Sequence, residues 1–231
     1  MPLVPNPFRA LIIGSSGTIG SAFQELLENN PQCQEVYGIH RNSLHPIDYD
    51  DEDSIASSAK SLLEKGPFQL IINTIGVLHS ERWMPEKKLE DLHADQLMQL
   101  MKVNAIGPAL TMKHFSKLLD PAGSVMANLS AKVGSIEDNR LGGWYSYRAS
   151  KAALNMLIKT AAIEFGRTKP NCALIALHPG TVNSNLSRPF KGEQIGRPPL
   201  DAAQDMLDVL LSVGKEDSGS FISYSGERLP W

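Results

Sequence analysis

Tyr147-Arg148-Ala149-Ser150-Lys151 sets a phenol and an ammonium four residues apart at the start of a segment with helical period, which puts both on one face. A free tyrosine titrates at about pH 10, and a neighbouring positive charge favours its ionised form. Such a pair can pass a proton to or from a bound oxygen. Spacing alone carries little weight, because composition yields about 0.3 Tyr-x-x-x-Lys matches by chance in a chain of this length. A second element adds more. Gly14-Ser15-Ser16-Gly17-Thr18-Ile19-Gly20 follows a short apolar run and leads directly into a helical one. Glycines let the backbone turn tightly and approach a pyrophosphate, while the free N–H groups of a helix start attract negative charge. The turn therefore reads as a dinucleotide phosphate site. No Gly-Lys-Ser/Thr follows it, which argues against a P-loop hydrolase.

The next apolar run ends Gly38-Ile39-His40-Arg41-Asn42. A site selective for NAD usually places Asp or Glu here to accept from the ribose 2′-hydroxyl, and none is present. Arg41 instead offers planar cationic donors suited to a 2′-phosphate, the alternative being a solvated surface arginine. The expected cofactor is NADP(H), with NAD(H) left open.

These groups need a frame. Short runs rich in branched residues, Arg9–Ile13, Glu35–His40, Gln69–Thr74, Ser124–Leu129, Cys172–His178 and Gly219–Tyr224, read as buried strands, and Leu44–Asp48 would add a seventh. Helical period runs through Gly20–Asn29, Asp53–Lys65, Ala94–Leu119, Tyr147–Phe165 and Asp201–Val213. The alternation predicts an α/β doubly wound fold of the Rossmann type, a mostly parallel sheet with helices on both faces. Only the Pro-rich and Gly-rich stretch 179–199 lacks a clear element, and it reads as a substrate lid containing a short helix. The acidic run Asp50-Asp51-Glu52-Asp53 reads as a helix N-terminus rather than a cation loop.

Composition removes several classes. The 231 residues, 42% hydrophobic and 20% charged, have the make-up of one globular domain spanning 1–231. Charge is scattered and sums to −3, which disfavours nucleic-acid and anionic-membrane partners. Aliphatic stretches such as Ala10-Leu11-Ile12-Ile13 fall far short of the roughly 20 residues of a membrane span. Pro2, Pro5 and Pro7 break any signal-peptide pattern. Cys33 and Cys172 read as reduced packing residues, the dispersed histidines offer no metal site, and the expected compartment is the cytoplasm.

Several further segments, in order along the chain, resemble the short-chain dehydrogenase/reductase family in its compact single-domain form. Asn73-Thr74-Ile75-Gly76 is similar to that family's Asn-Asn-Ala-Gly segment, Asn104 to its helix asparagine, and Ser130 to its strand-end serine. Tyr147 and Lys151 follow, then Pro179-Gly180-Thr181-Val182, similar to the turn that holds the nicotinamide amide, while Asp48 matches an adenine-contacting aspartate. The resemblance implies that Tyr147 is the general acid and base, that Lys151 assists it and binds the ribose, and that Ser130 bonds the substrate oxygen. Asn104 would position a water linking Lys151 to solvent. Gly14 to Gly20, Arg41, Asn42, Asp48, Asn73, Ile75 and Gly76 would complete the cofactor site.

The chain departs from that pattern in three places. Ile13 stands where many relatives carry a threonine that ties neighbouring loops, the glycines fall evenly at 14, 17 and 20, and Thr74-Ile75 replaces Asn-Ala. The ending Gly219–Trp231 is similar to that of C-factor-like and sniffer-like carbonyl reductases. The function implied is hydride transfer between nicotinamide and a small or medium carbonyl or alcohol. The alternative is a dinucleotide-binding regulator or signalling protein. Substrate choice is assigned to the 76–96 loop, residues 131–144 and the 179–199 stretch, with Trp83, Met84, Leu141, Trp144 and Phe190 as pocket residues. Pairing through the helical segments Ala94–Leu119 and Tyr147–Phe165 predicts a homodimer or homotetramer.

Overall fold

A computed structural model describes residues 1–231. Strands β1 (Phe8–Ile13), β2 (Cys33–Ile39), β3 (Leu70–Asn73), β4 (Ser124–Leu129), β5 (Cys172–His178) and β6 (Ser220–Ser223) form one sheet in the order β2-β1-β3-β4-β5-β6. Every neighbouring pair is parallel. The inner strands β1, β3, β4 and β5 are covered on both faces, which is why their residues are apolar almost throughout. Alternate residues feed two cores. Leu11, Ile13, Ile71, Met126 and Leu174 face α2 (Glu52–Ser61), α4 (Gly107–Phe115) and α5 (Tyr145–Thr168). Ala10, Ile12, Leu70, Ile72, Val125 and Ile175 face α1 (Thr18–Glu28) and α7 (Pro199–Ser212). Strand order reverses between β1 and β3, and a crevice opens beyond the carboxyl ends of strands at such a point.

The sheet has six strands rather than the seven expected. Residues Leu44–Asp48 form a bend and irregular coil because other partners take their backbone groups. Pro46 has no N–H, Ile47 N donates back to His40 O, and Asp48 N donates to Ser54 Oγ at 2.9 Å. The acidic run behaves as predicted: Asp51 caps α2 and its carboxylate accepts from Asp53 N.

The single helix expected over Ala94–Leu119 is divided. It runs as α3 (Ala94–Met101), a π turn at Lys102–Ile106, then α4. Pro108 has no N–H to give the carbonyl of Asn104, and Gly107 N reaches back five residues to Lys102 O, which widens the turn. Asn104 therefore sits in the distorted turn. The stretch 179–199 contains a 3-10 turn at Arg188–Phe190 and the one-turn helix α6 (Gly192–Ile195). Arg197 N donates to Thr181 O and Asn183 N to Arg197 O, both at 2.9 Å, fastening the two ends of this excursion together. No helix is long and apolar enough to cross a membrane.

Candidate active site

The glycine turn joins β1 to α1 at the crevice. Gly14 has φ +89°, and a Cβ there would lie 2.7 Å from Thr74 Oγ1. One at Gly20 would lie 2.2 Å from the carbonyl oxygen of Gly14, so helix and turn touch. Gly17 differs: a Cβ there would meet nothing nearer than Gly14 O at 3.4 Å. It stands at the N-cap of α1, no side chain caps that end, and the first turn carries no acidic residue. The open backbone and helix start border a cavity of about 380 Å³ lined by Ser16 to Gly20, Thr74, Gly76 to His79 and Ser184 to Leu186. Glycines 14 and 20 thus serve the fold, and glycine 17 leaves room for a ligand.

Beside it, and sharing Ile19, Thr74, Gly76, Leu78, Ser184 and Leu186 with it, lies a cavity of about 540 Å³. Ser130 from the end of β4 and Tyr147 and Lys151 from the first turns of α5 line this second cavity, together with Ile75 and Pro179 to Val182. Four to six hundred cubic ångströms is ordinary for a small-molecule site. Lys151 Nζ donates to Leu129 O at 2.8 Å and lies 5.9 Å from the centre of the Tyr147 ring. Burial pushes the Lys151 ammonium down to about 7 and the Tyr147 phenol above its ordinary value, since both charged forms lose hydration. Lys151 therefore titrates near neutrality, and Tyr147 holds its proton. Ser130 Oγ donates to Asn155 Oδ1 at 2.6 Å. Asn104 is fully buried; its Nδ2 donates to Val77 O and its Oδ1 accepts from Val77 N, at 2.8 and 2.9 Å. Above Gly76 the two side chains converge, because a Cβ there would lie 3.4 Å from Asn104 Oδ1 and 3.5 Å from Lys151 Nζ.

The start of α5 is held by a residue the sequence did not single out. The buried carboxylate of Glu86 accepts from Ser146 N at 3.2 Å and from Ser146 Oγ, and Glu86 O accepts from Trp144 N. An anion at this helix end favours the dipole and fixes the turn that carries Tyr147.

Other expected contacts are arranged differently. Asn73 is buried within a scaffold: Tyr49 OH donates to its Oδ1 and its Nδ2 donates to Asn128 Oδ1, each at 3.0 Å. Its Nδ2 thereby joins β3 to β4, its Oδ1 also accepts from Ile75 N, and Asn73 lines neither cavity. Ser15 is buried against β2, its Oγ 2.7 Å from where a Gly38 Cβ would stand, and it lines neither cavity. Arg41, Asn42 and Asp48 lie outside both cavities at the rim past β2, where Arg41 and Asp48 form an exposed ion pair of 3.6 Å.

Of the five residues expected to wall the pocket, Trp144 and Phe190 do so, with ring centres 4.9 Å apart. Trp83 packs behind them near Leu78 and Tyr147. Met84 and Leu141 face solvent, the latter 92% exposed, on loops with no apolar cover. His178 also lines the cavity; Lys132 N donates to its Nδ1, and burial with the nearby Lys132 charge pushes its imidazole down to about 4.

The arrangement has counterparts in known proteins. A family model described as enoyl-(acyl carrier protein) reductase matches residues 22–206. The chain is 31% identical to 1-hydroxy-2-glutathionyl-2-methyl-3-butene dehydrogenase of Rhodococcus sp. over 80% of its own length and 78% of the relative's. It is also 31% identical to the C-signal protein of Myxococcus xanthus, over 72% of this chain and 94% of that one. Its fold superposes on the NADPH-bound carbonyl reductase from chicken fatty liver with a TM-score of 0.83 at 23% identity, covering 98% of this chain and 100% of the other. With the matched model spanning most of the sequence, the chain belongs to the short-chain dehydrogenase/reductase family of NAD(P)-dependent oxidoreductases.

Proposed function

We propose that the protein is an NADP(H)-dependent oxidoreductase that moves hydride between nicotinamide and a small or medium carbonyl or alcohol. The observation that carries this reading is the convergence of Ser130, Tyr147 and Lys151 on one cavity that adjoins the uncapped start of α1. The site fits the cofactor. The open face of Gly17 and the N–H groups of α1 suit a pyrophosphate, Gly180 to Val182 offer backbone partners for the nicotinamide amide, and Arg41 suits the 2′-phosphate. Bound NADP(H) supplies or accepts the hydride.

The chain's own groups handle the proton. Burial keeps it on the Tyr147 phenol, ready for a carbonyl oxygen that gains negative charge. Lys151, near neutrality in its own titration, is the group best able to exchange that proton onward, and Asn104 beside it above Gly76 suits a relay to water. Ser130 provides a hydroxyl for the same substrate oxygen. Trp144, Phe190, Leu186 and Val133 make an apolar wall that favours a substrate with a hydrocarbon portion and excludes water. The 179–199 excursion, which supplies Leu186, Phe190 and Ile195 to that wall, acts as the lid. A regulator without turnover would have no use for a buried phenol beside a buried ammonium.

The test is oxidation of NADPH and NADH over a panel of aldehydes, ketones and diketones, with Tyr147→Phe alongside. Turnover on at least one carbonyl, reduced by about 10²-fold or more in the variant, is the expected result. Cofactor binding with no turnover on any carbonyl or alcohol would defeat it. The same preparations report assembly. Met98 on α3 and Met156 and Ile163 on α5 are exposed apolar residues on neighbouring helices, and sedimentation should give a homodimer or homotetramer rather than a monomer.

A further inference from the structure

The hydroxyl of Ser130 carries one proton, and in this structure that proton is directed at Asn155 Oδ1, 2.6 Å away and out of the cavity. A serine so engaged presents only lone pairs to a ligand. It can accept from an alcohol, and it cannot donate to a carbonyl oxygen or to the oxyanion that grows from it. Asn155 is buried, and its Nδ2 has no partner at all. An orphaned amide nitrogen buried beside the serine is costly, yet it is the atom that would correct the mismatch. Rotation of the amide by half a turn brings Nδ2 to Ser130 Oγ, which then accepts from Asn155 and releases its own proton toward the cavity.

We infer that Asn155 is a positioning residue whose amide sets the direction of the Ser130 proton, fitting the site to an alcohol in one orientation and to a carbonyl in the other. An amide is suited to this because it offers a donor and an acceptor of nearly equal shape on one rotor. A carboxylate offers only acceptors, and an aliphatic side chain offers neither. The inference rests on the carbonyl chemistry proposed above for its kinetic consequence, and on the Ser130–Asn155 contact alone for its structural one.

Two variants separate a positioning role from a packing role. Asn155→Asp keeps the shape and holds the Ser130 proton away from the substrate, so carbonyl reduction at pH 8 should fall by about 10²-fold in kcat, the loss typical of one missing oxyanion donor. Burial raises the pKa of the introduced carboxyl, and once protonated it can donate to Ser130 Oγ, so its rate relative to the unaltered protein should climb as pH falls from 8 to 6. Asn155→Leu should lower kcat by about tenfold with a ratio to the unaltered protein that does not change with pH. If both variants lose activity equally at every pH, or neither loses more than twofold, the inference is overturned. A measurement without turnover accompanies this. The side-chain amide resonances of Asn155, identified by their loss in Asn155→Leu, should shift in Ser130→Ala in the free protein. Unshifted resonances overturn the inference even if the carbonyl chemistry stands; a shift together with no turnover on any carbonyl retains the contact and defeats the assigned reaction.

Discussion

The hydroxyl of Thr74 donates to the carbonyl oxygen of Ile13 at 3.0 Å, so the residue that leaves β3 fastens the exit of β1. The same hydroxyl lies 3.2 Å from Gly14 O, at the base of the glycine turn. Ile13 carries no hydroxyl to tie these loops, and Thr74 supplies the tie from the opposite side. Two departures from the family pattern thus compensate each other. Thr74→Val keeps the shape and removes the donor. It should cost about 1 kcal/mol in stability by urea denaturation and weaken NADPH several-fold by fluorescence titration. An unchanged midpoint and affinity would show that the tie is idle.

Gly17 and Gly20 should respond in opposite ways to alanine. At Gly20 the added methyl would collide with Gly14 O, so the turn must shift, and thermal unfolding should reveal a loss of 2 kcal/mol or more, on the order of other forced overpackings. At Gly17 the methyl has space within the protein, and a stability change within about 1 kcal/mol is expected. Cofactor affinity should nevertheless drop by about tenfold or more, because the methyl occupies the ligand's side of the turn. Equal affinity for Gly17→Ala and the unaltered protein would remove the phosphates from this turn.

Arg41 is 72% exposed and paired with Asp48, so in the proposed role it would exchange an ion pair worth little for the 2′-phosphate. Arg41→Ala should weaken NADPH by about tenfold, the lower end for a charged hydrogen bond at an exposed site, and leave NADH unchanged. Titration of both cofactors checks it. A constant NADPH to NADH ratio would leave Arg41 as a surface residue.

Lys151 gives the fold a pH dependence of definite sign. Its folded pKa of about 7 lies below the ordinary 10.5, so above about pH 10.5 it is neutral in both states and contributes no titration effect. As pH falls toward 7 the unfolded chain takes up the proton first, and the folded state loses relative stability until both forms are charged. Lys151→Met removes this loss, together with the bond to Leu129 O, which Nζ can donate in either protonation state. The melting temperature of the variant relative to the original should therefore be higher at pH 7 than at pH 10, by on the order of 10 °C. A pH-independent difference would mean that Lys151 is hydrated in the fold.

What could be read from the sequence followed from burial and local spacing. The inner strands are apolar because both faces are covered, and Tyr147 and Lys151 meet because one helix turn brings them together. Leu44–Asp48 was misleading because its apolar residues also suit a coil whose N–H groups go to His40 and Ser54. Asn73 matched a binding motif, but its atoms are claimed by Tyr49 and Asn128, neither of them near it in sequence. Glu86 and Asn155 carried no local signal. Their partners Ser146 and Ser130 lie 60 and 25 residues away, a distance that no periodicity spans.

The mutual fastening of Thr181 and Asn183 to Arg197 makes the chain between them a closed loop whose neck is held by backbone bonds, with one further bond from within, Ser187 Oγ to Val182 O. For such a loop the entropic cost of added length grows only logarithmically, by about 0.6 kcal/mol per doubling. The 183–196 segment can therefore be lengthened, shortened or exchanged with that of a relative as a cassette, while β5 and α7 keep their register. Diversification of this scaffold has its least expensive route there.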